Sequence, residues 1–248
     1  MFQKIYLSYD NHLFDELLNS AKLENSQSGK PRSAAIIALP SDDQSIPIVR
    51  STTIYHHPVQ RFTDIHHDII KNINNSLGSN YRFNNGMLEL YDHRYRTMAY
   101  HSDQALDLNE DSHIAIFSCY ETLPSSDDEL RTLVIKNKIN KDVHHVVMDH
   151  HSVILFDVHT NNQYWHKIVL KSNKNNKWLG LTLRLSKTFV KHVGNDICMA
   201  DGTPLQLATE QEITQFYKLR SMENQNTDFI YPPINYTISP SDLLEILC

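Results

Sequence analysis

The chain has 248 residues, 40% hydrophobic and 21% charged, with few glycines and a formal net charge of −6. That length suits one large domain or one domain with appendages, and the composition excludes collagen, a coiled coil and wholesale disorder. An acidic balance without a dense basic stripe argues against a dedicated nucleic-acid binder; the runs KNKINK at 136–141 and KSNKNNK at 171–177 read as solvated hairpin turns.

Three cysteines, Cys119, Cys198 and Cys248, form no CxxC and no even-numbered framework, which points to a reducing compartment. The opening MFQKIYLSYD lacks the apolar run of a signal peptide, and no window approaches a membrane span. The expected location is therefore intracellular and soluble, in the cytoplasm or the nucleus, and the glycosylation-like Asn74 and Asn235 triplets read as chance matches.

In chain order, residues 10–24 predict a short helix, with Leu13, Leu17, Leu18 and Ala21 at helical spacing. A Ser/Gly/Pro loop follows at 25–33, then strands at 34–39 and 47–55. Ile65, Ile69, Ile73 and Leu77 recur at intervals of four, which predicts an amphipathic helix over 63–77 closed by Gly78. From 80 to 190 the texture changes to short Val/Ile/Leu/Phe/Tyr runs separated by polar turns, at 83–91, 97–101, 113–120, 132–135, 144–148, 152–158, 165–170 and 179–190. Such spacing predicts an antiparallel sandwich or jelly roll. Thr209 with Glu212 forms a capping box that opens a helix to about Met222, and Ser239-Pro240 starts a last short one. The expected fold is mainly β with flanking helices (α+β). A β core at 80–192 lies between an N-terminal flank at 1–79 and a C-terminal helical extension at 193–248, as one compact unit.

His-x-Asp occurs twice, at His66–Asp68 and His101–Asp103. On a strand, residues i and i+2 share a face and can reach one metal; on a helix they diverge. The first pair falls in a helical run and reads as capping or surface detail, whereas the second ends a strand. Two histidines and one carboxylate on one face of a metal suit a non-haem iron(II) centre with open positions opposite. His166, after the strand SVILFD and a polar turn, supplies the second histidine from a separate strand. Arg184 and Ser186, predicted to share a strand face, suit a carboxylate ligand through a bidentate grip and a hydroxyl.

In this order, LELY (88–91), HSD (101–103), HIAIFS (113–118), RTLVIK (131–136), SVILFDVHTNNQYWHKI (152–168) and RLSKTF (184–189) resemble the iron/2-oxoglutarate oxygenase superfamily, and within it the AlkB-like branch. The resemblance covers under half the chain. It implies a double-stranded β-helix (jelly roll) with Fe(II) held by His101, Asp103 and His166. It also implies 2-oxoglutarate held by Arg184, Ser186 and Tyr91, and O2 as co-substrate. The implied reaction is decarboxylation to succinate and CO2 coupled to hydroxylation of a protein side chain or small molecule. For an N-methyl group, such as that of an alkylated nucleobase, it is demethylation with loss of formaldehyde.

The chain also departs from the AlkB-like pattern. Val190 stands where a second arginine is expected, Asp92 where the tyrosine is expected and Ala105 where a further Asp is expected, and 25–60 show no base-gripping aromatic lid. Two other readings remain open: an AlkB-type base demethylase, which requires a basic groove with a stacking aromatic, and a non-catalytic jelly-roll metal-binding module. A zinc hydrolase fits a site with a strand arginine less well. His144, His145, His150 and His151 read as surface or hairpin residues, since adjacent strand histidines face opposite ways. Cys119 reads as a small buried apolar residue, Trp165 as barrel packing, and Tyr95 and Tyr100 as strand surface.

Overall fold

The computed structural model describes residues 1–9, 12–25, 31–194 and 196–247. The first two residues predicted as helix, most of the 25–33 loop and Cys248 lie outside them. The elements are β1 (Gln3–Tyr6), α1 (Phe14–Asn19), β2 (Glu24–Asn25), β3 (Arg32–Ala38), β4 (Ile46–Pro47), β5 (Gln60–Arg61), α2 (Asp64–Leu77), β6 (Asn85–Tyr91), β7 (His113–Tyr120), β8 (Arg131–Asn137), β9 (Val143–Met148), β10 (Ser152–Asp157), α3 (Val158–Gln163), β11 (Tyr164–Val169), β12 (Trp178–Arg184), β13 (Phe189–Val193), β14 (Asp196–Met199), β15 (Gln206–Leu207), α4 (Glu210–Gln225) and β16 (Tyr236–Thr237).

The major sheet runs in the order β1-β10-β7-β12-β6-β3-β2, with β5 beside β3. The minor sheet is β11-β8-β9, extended beyond β11 by two isolated bridges, Thr97 to Val169 and His101 to His166. The fold is thus the expected β-rich jelly roll. Its central strands are apolar on both faces because both faces are covered. On β7, Ile114 and Ile116 point between the sheets with Leu133, Ile135, Phe156 and Trp178. Ala115, Phe117 and Cys119 point outward into a second layer with Leu17, Ile65, Ile69 and Ile73 of α1 and α2. Alternation along the strand produces this division.

Several predicted bounds change. Residues 97–101 make only bridges, so the HSD segment stays irregular. The expected strand at 47–55 shrinks to β4, because Pro47 has no N–H to donate and Arg50 turns its backbone amide to Asp107 (2.7 Å). The run at 179–190 breaks into β12 and β13, so Ser186 lies past the end of the strand that carries Arg184. The polar turn after SVILFD is a helix, α3, whose first turn is capped by Asp157 accepting from the Thr160 amide (2.5 Å). Lys138, expected in a solvated turn, is buried and donates to the carbonyls of Glu223 (3.3 Å) and Asn226 (3.0 Å) at the end of α4. The final helix is one 3-10 turn, Pro240–Leu243, without a side-chain cap from Ser239. Strands β1, β2, β5, β14, β15 and β16 were not foreseen. Most are too short to show a period.

Gly180 on β12 is there because the Trp178 indole lies across it. A Cβ at Gly180 would stand 2.0 Å from Cη2 and 2.6 Å from Cζ2 of that ring. Trp178 is fully buried, 5.0 Å from the Tyr91 ring and beneath the Arg131 guanidinium at 5.6 Å, so it has little room to withdraw. Gly180→Ala is expected to cost about 3 kcal/mol of unfolding free energy, the upper end for overpacking a filled core. A urea titration within 0.5 kcal/mol of the parent would show that the indole moves freely.

Asp242 is buried near the C-terminal end, accepting from Thr237 Oγ1 (2.5 Å). Burial pushes its carboxyl up to about 6, against the lowering effect of the Thr237 hydroxyl. A raised folded-state pKa favours folding below the unfolded value, about 3.9, and that contribution is lost as pH rises toward about 6. Asp242→Asn is therefore expected to stabilise the protein at pH 7 by about 2 kcal/mol and to flatten stability between about pH 4 and pH 6. Unfolding curves at both pH values check the sign.

Candidate metal centre and cavity

His101, Asp103 and His166 come together at the open end between the two sheets, with one ligand atom from each within 4.8 Å of the others. The pairing that aligns them is local. His101 donates its amide to the His166 carbonyl (3.0 Å) and accepts from the His166 amide (2.6 Å), which sets the two side chains side by side. Nε2 of His166 stands 3.4 Å from Asp103 Oδ1, and Nε2 of His101 stands 3.9 Å from the same oxygen. The other oxygen, Oδ2, accepts from Arg184 Nε (3.0 Å) and Nη2 (2.7 Å). His101 Nδ1 lies 3.1 Å from the Ala99 carbonyl, which selects the tautomer with Nε2 unprotonated. Two imidazole nitrogens and one carboxylate oxygen converge, a donor set that fits a borderline divalent metal such as Fe(II).

Electrostatics favour this state. Burial alone would raise the Asp103 carboxyl, but the Arg184 guanidinium and His166 drive it well below the usual carboxylate range. Burial, with His166 beside it adding to the effect, holds His101 down at about 4, so it is a neutral imidazole at neutral pH. The Asp103 backbone is clamped by Asn161 of α3, whose Oδ1 accepts from the Asp103 amide (2.8 Å) and whose Nδ2 donates to its carbonyl (2.8 Å). From α4, Asn224 Oδ1 accepts from the Ser102 amide (2.9 Å) and Glu223 Oε1 from the Ala105 amide (2.7 Å), while Arg220 reaches the Ser102 carbonyl. These residues were invisible as site components in the sequence. A polar side chain that binds a distant backbone leaves no spacing signature.

The ligands open into a cavity of about 450 Å³. Arg184 and Tyr91 line it; Ser186 does not. The Ser186 hydroxyl instead donates to the Ile48 (2.6 Å) and Thr188 (3.0 Å) carbonyls, so the structure keeps it out of the group it was expected to join. Tyr91 is buried and donates to Glu89 (2.8 Å), which is ion-paired with Arg32 of β3 (2.6 Å). Neither Arg32 nor Glu89 was anticipated, although Glu89 shares with Tyr91 the inward side of β6 by simple alternation. Tyr95 also lines the cavity, 4.3 Å from Tyr91, rather than facing solvent.

The remaining candidates lie elsewhere. His66 is buried and caps α2, with Nδ1 accepting from the Thr63 amide (2.9 Å). Trp165 donates to the Asn224 carbonyl (2.6 Å), fastening α4 to β11. His144 and His145 are exposed on β9. Val190 sits in an apolar cluster with Ile46, Ile48 and Leu205, so no cation occupies that position.

No helix among the described residues is long and apolar enough to cross a membrane. No protein-family model matches the chain, and no curated protein matches it. Among solved structures, the chain aligns with OsALKBH1 at a TM-score of 0.49 and 11% identity, over 74% of this chain and 96% of that one. It also aligns with a Pseudomonas putida prolyl-4-hydroxylase at a TM-score of 0.45 and 11% identity, over 74% of this chain and 92% of that one.

Proposed function

We propose that this protein is an Fe(II)- and 2-oxoglutarate-dependent dioxygenase, with His101, Asp103 and His166 as the metal ligands. The observation that carries the reading is the division of labour at Asp103. One carboxylate oxygen faces both histidine Nε2 atoms, and the other is held by a buried arginine. That arrangement fixes the carboxylate as a one-oxygen ligand on the same side as both imidazoles and leaves the opposite side free.

When bound, Fe(II) with 2-oxoglutarate and O2 supplies oxidative decarboxylation to succinate and CO2, coupled to hydroxylation or demethylation of the primary substrate. The chain's own residues orient and shield. Arg184 is the cation nearest the ligands and is the group assigned to a carboxylate of the 2-oxo acid. Tyr91 also lines the cavity and is assigned to the same ligand, once its hydroxyl exchanges Glu89 for it. Ile116, Met98 and Ile168 exclude water along the cavity wall. Ser51, Thr52, Thr53, Ser221 and Tyr217 also line the cavity, which favours a hydrogen-bonding primary substrate over an apolar one.

The test is succinate formation by anaerobically purified protein given Fe(II), 2-oxoglutarate and O2, with His166→Ala alongside. Succinate that disappears in the variant supports the reading. Absence of both turnover and 2-oxoglutarate binding, with Mn(II) present, leaves a metal-binding jelly roll in its place.

A further inference from the structure

A second cluster of metal-ligating side chains lies on the opposite face of the major sheet. Cys119 of β7 belongs to the layer packed under α1 and α2, not to the inter-sheet interior. His150 and His151 occupy the turn between β9 and β10. One ligand atom from each of Cys119, His150 and His151 lies within 4.8 Å of the others. Adjacent histidines on a strand diverge, but these are in a turn, where His151 adopts a left-handed backbone (φ 58°). Their rings consequently stand 3.8 Å apart, with His12 a further 4.8 Å from His150. A positive φ at a non-glycine residue is unfavourable and persists where the surroundings hold it. Here the His151 amide donates to Ser118 (2.8 Å) and its carbonyl accepts from Leu7 (2.9 Å).

We propose that Cys119, His150 and His151 form a three-residue binding site for a thiophilic divalent transition metal, of which Zn(II) is the reference case. The independent observation is the buried Nε2 of His151, which has no hydrogen-bond partner although the ring is packed between Tyr9 and Phe117. An orphaned buried ring nitrogen is a cost that a metal removes. Burial, with His151 and then His12 adding to it at His150 and His12 adding to it at His151, holds both at about 4, so both are neutral ligands at neutral pH.

Burial pushes the Cys119 thiol up to about 12 without a metal. A coordinated thiol is deprotonated, so binding forms one metal–sulfur bond and releases one proton to solvent. The metal competes with one existing interaction, the Tyr120 amide donating to His150 Nδ1 (3.1 Å). A Cys/His set of three protein ligands suits Zn(II) and here joins β7 to the β9–β10 turn.

Co(II) separates this site from the other, which contains no sulfur. The experiment uses reduced, chelator-stripped protein of this 248-residue sequence carrying Cys198→Ala and Cys248→Ala, so that Cys119 is the only cysteine in it. In the His166→Ala background, which removes a ligand of the other centre, titration with Co(II) is expected to give a near-ultraviolet thiolate-to-cobalt charge-transfer band that saturates at one equivalent. The band should be lost in His151→Ala, and Zn(II) should displace it. A folded protein with no such band, or a band unchanged in His151→Ala, overturns the site. If His151→Ala fails to fold, His150→Ala serves, with the same two outcomes.

Discussion

Asp103→Ala is expected to abolish metal binding between the sheets and to lower the unfolding free energy by about 3–5 kcal/mol, the range for breaking a buried ion pair from one side. Both consequences come from one side chain. Oδ1 is the oxygen facing the two histidines, so its loss leaves two imidazoles and no charge to balance a dication. Oδ2 is the partner of Arg184, whose side chain is only 10% exposed, so its loss strands a guanidinium in the interior. Asp103→Asn separates the effects. The amide oxygen still accepts from Arg184, so most of the stability returns, while metal affinity stays low because the anionic ligand is gone. Mn(II) titration and urea unfolding of both variants read the two quantities. Parent-like Mn(II) binding by Asp103→Ala would remove Asp103 from the ligand set.

Asp107→Ala is expected to cost a similar 3–5 kcal/mol without touching the metal ligands. Asp107 is fully buried and holds Arg50, itself 3% exposed, through Nε and Nη2 (3.1 and 2.7 Å) and through the Arg50 amide (2.7 Å). Arg50 also donates to the carbonyls of Ile234 (2.8 Å) and Tyr236 (3.1 Å). One ion pair therefore joins the segment after β4, the loop following the HSD motif and the chain beyond α4. Replacing both partners with apolar side chains, Arg50→Met with Asp107→Leu, is expected to recover most of the loss, because neither charge is then left alone in the interior. Unfolding of the two single variants and the double variant gives the coupling directly. A single-variant cost under 1 kcal/mol would show that water reaches the pair.

His-x-Asp at the end of an apolar run, a later histidine on a separate run and an arginine beyond it could be read from the residues, because strand alternation and ligand chemistry are local rules. Apolar runs separated by polar turns predicted the jelly roll, and the expected runs at 113–120 and 152–158 match β7 and β10 closely. Ser186 could not be placed this way. Nothing in RLSKTF marks where β12 stops, and the stop follows from backbone partners supplied by residues 48 and 84.

By itself, then, the sequence determined the fold class and singled out His101, Asp103, His166 and Arg184 as candidates, because each depends on a short-range period and on side-chain chemistry. Only the tertiary structure decided the rest. It divided the two oxygens of Asp103 between metal side and guanidinium, brought Arg32 and Glu89 into the cavity and clamped the motif from α3 and α4. It also turned His150 and His151 toward Cys119. These are contacts between segments far apart in the chain, fixed by packing and by the need to pair buried polar groups, and no local pattern encodes them.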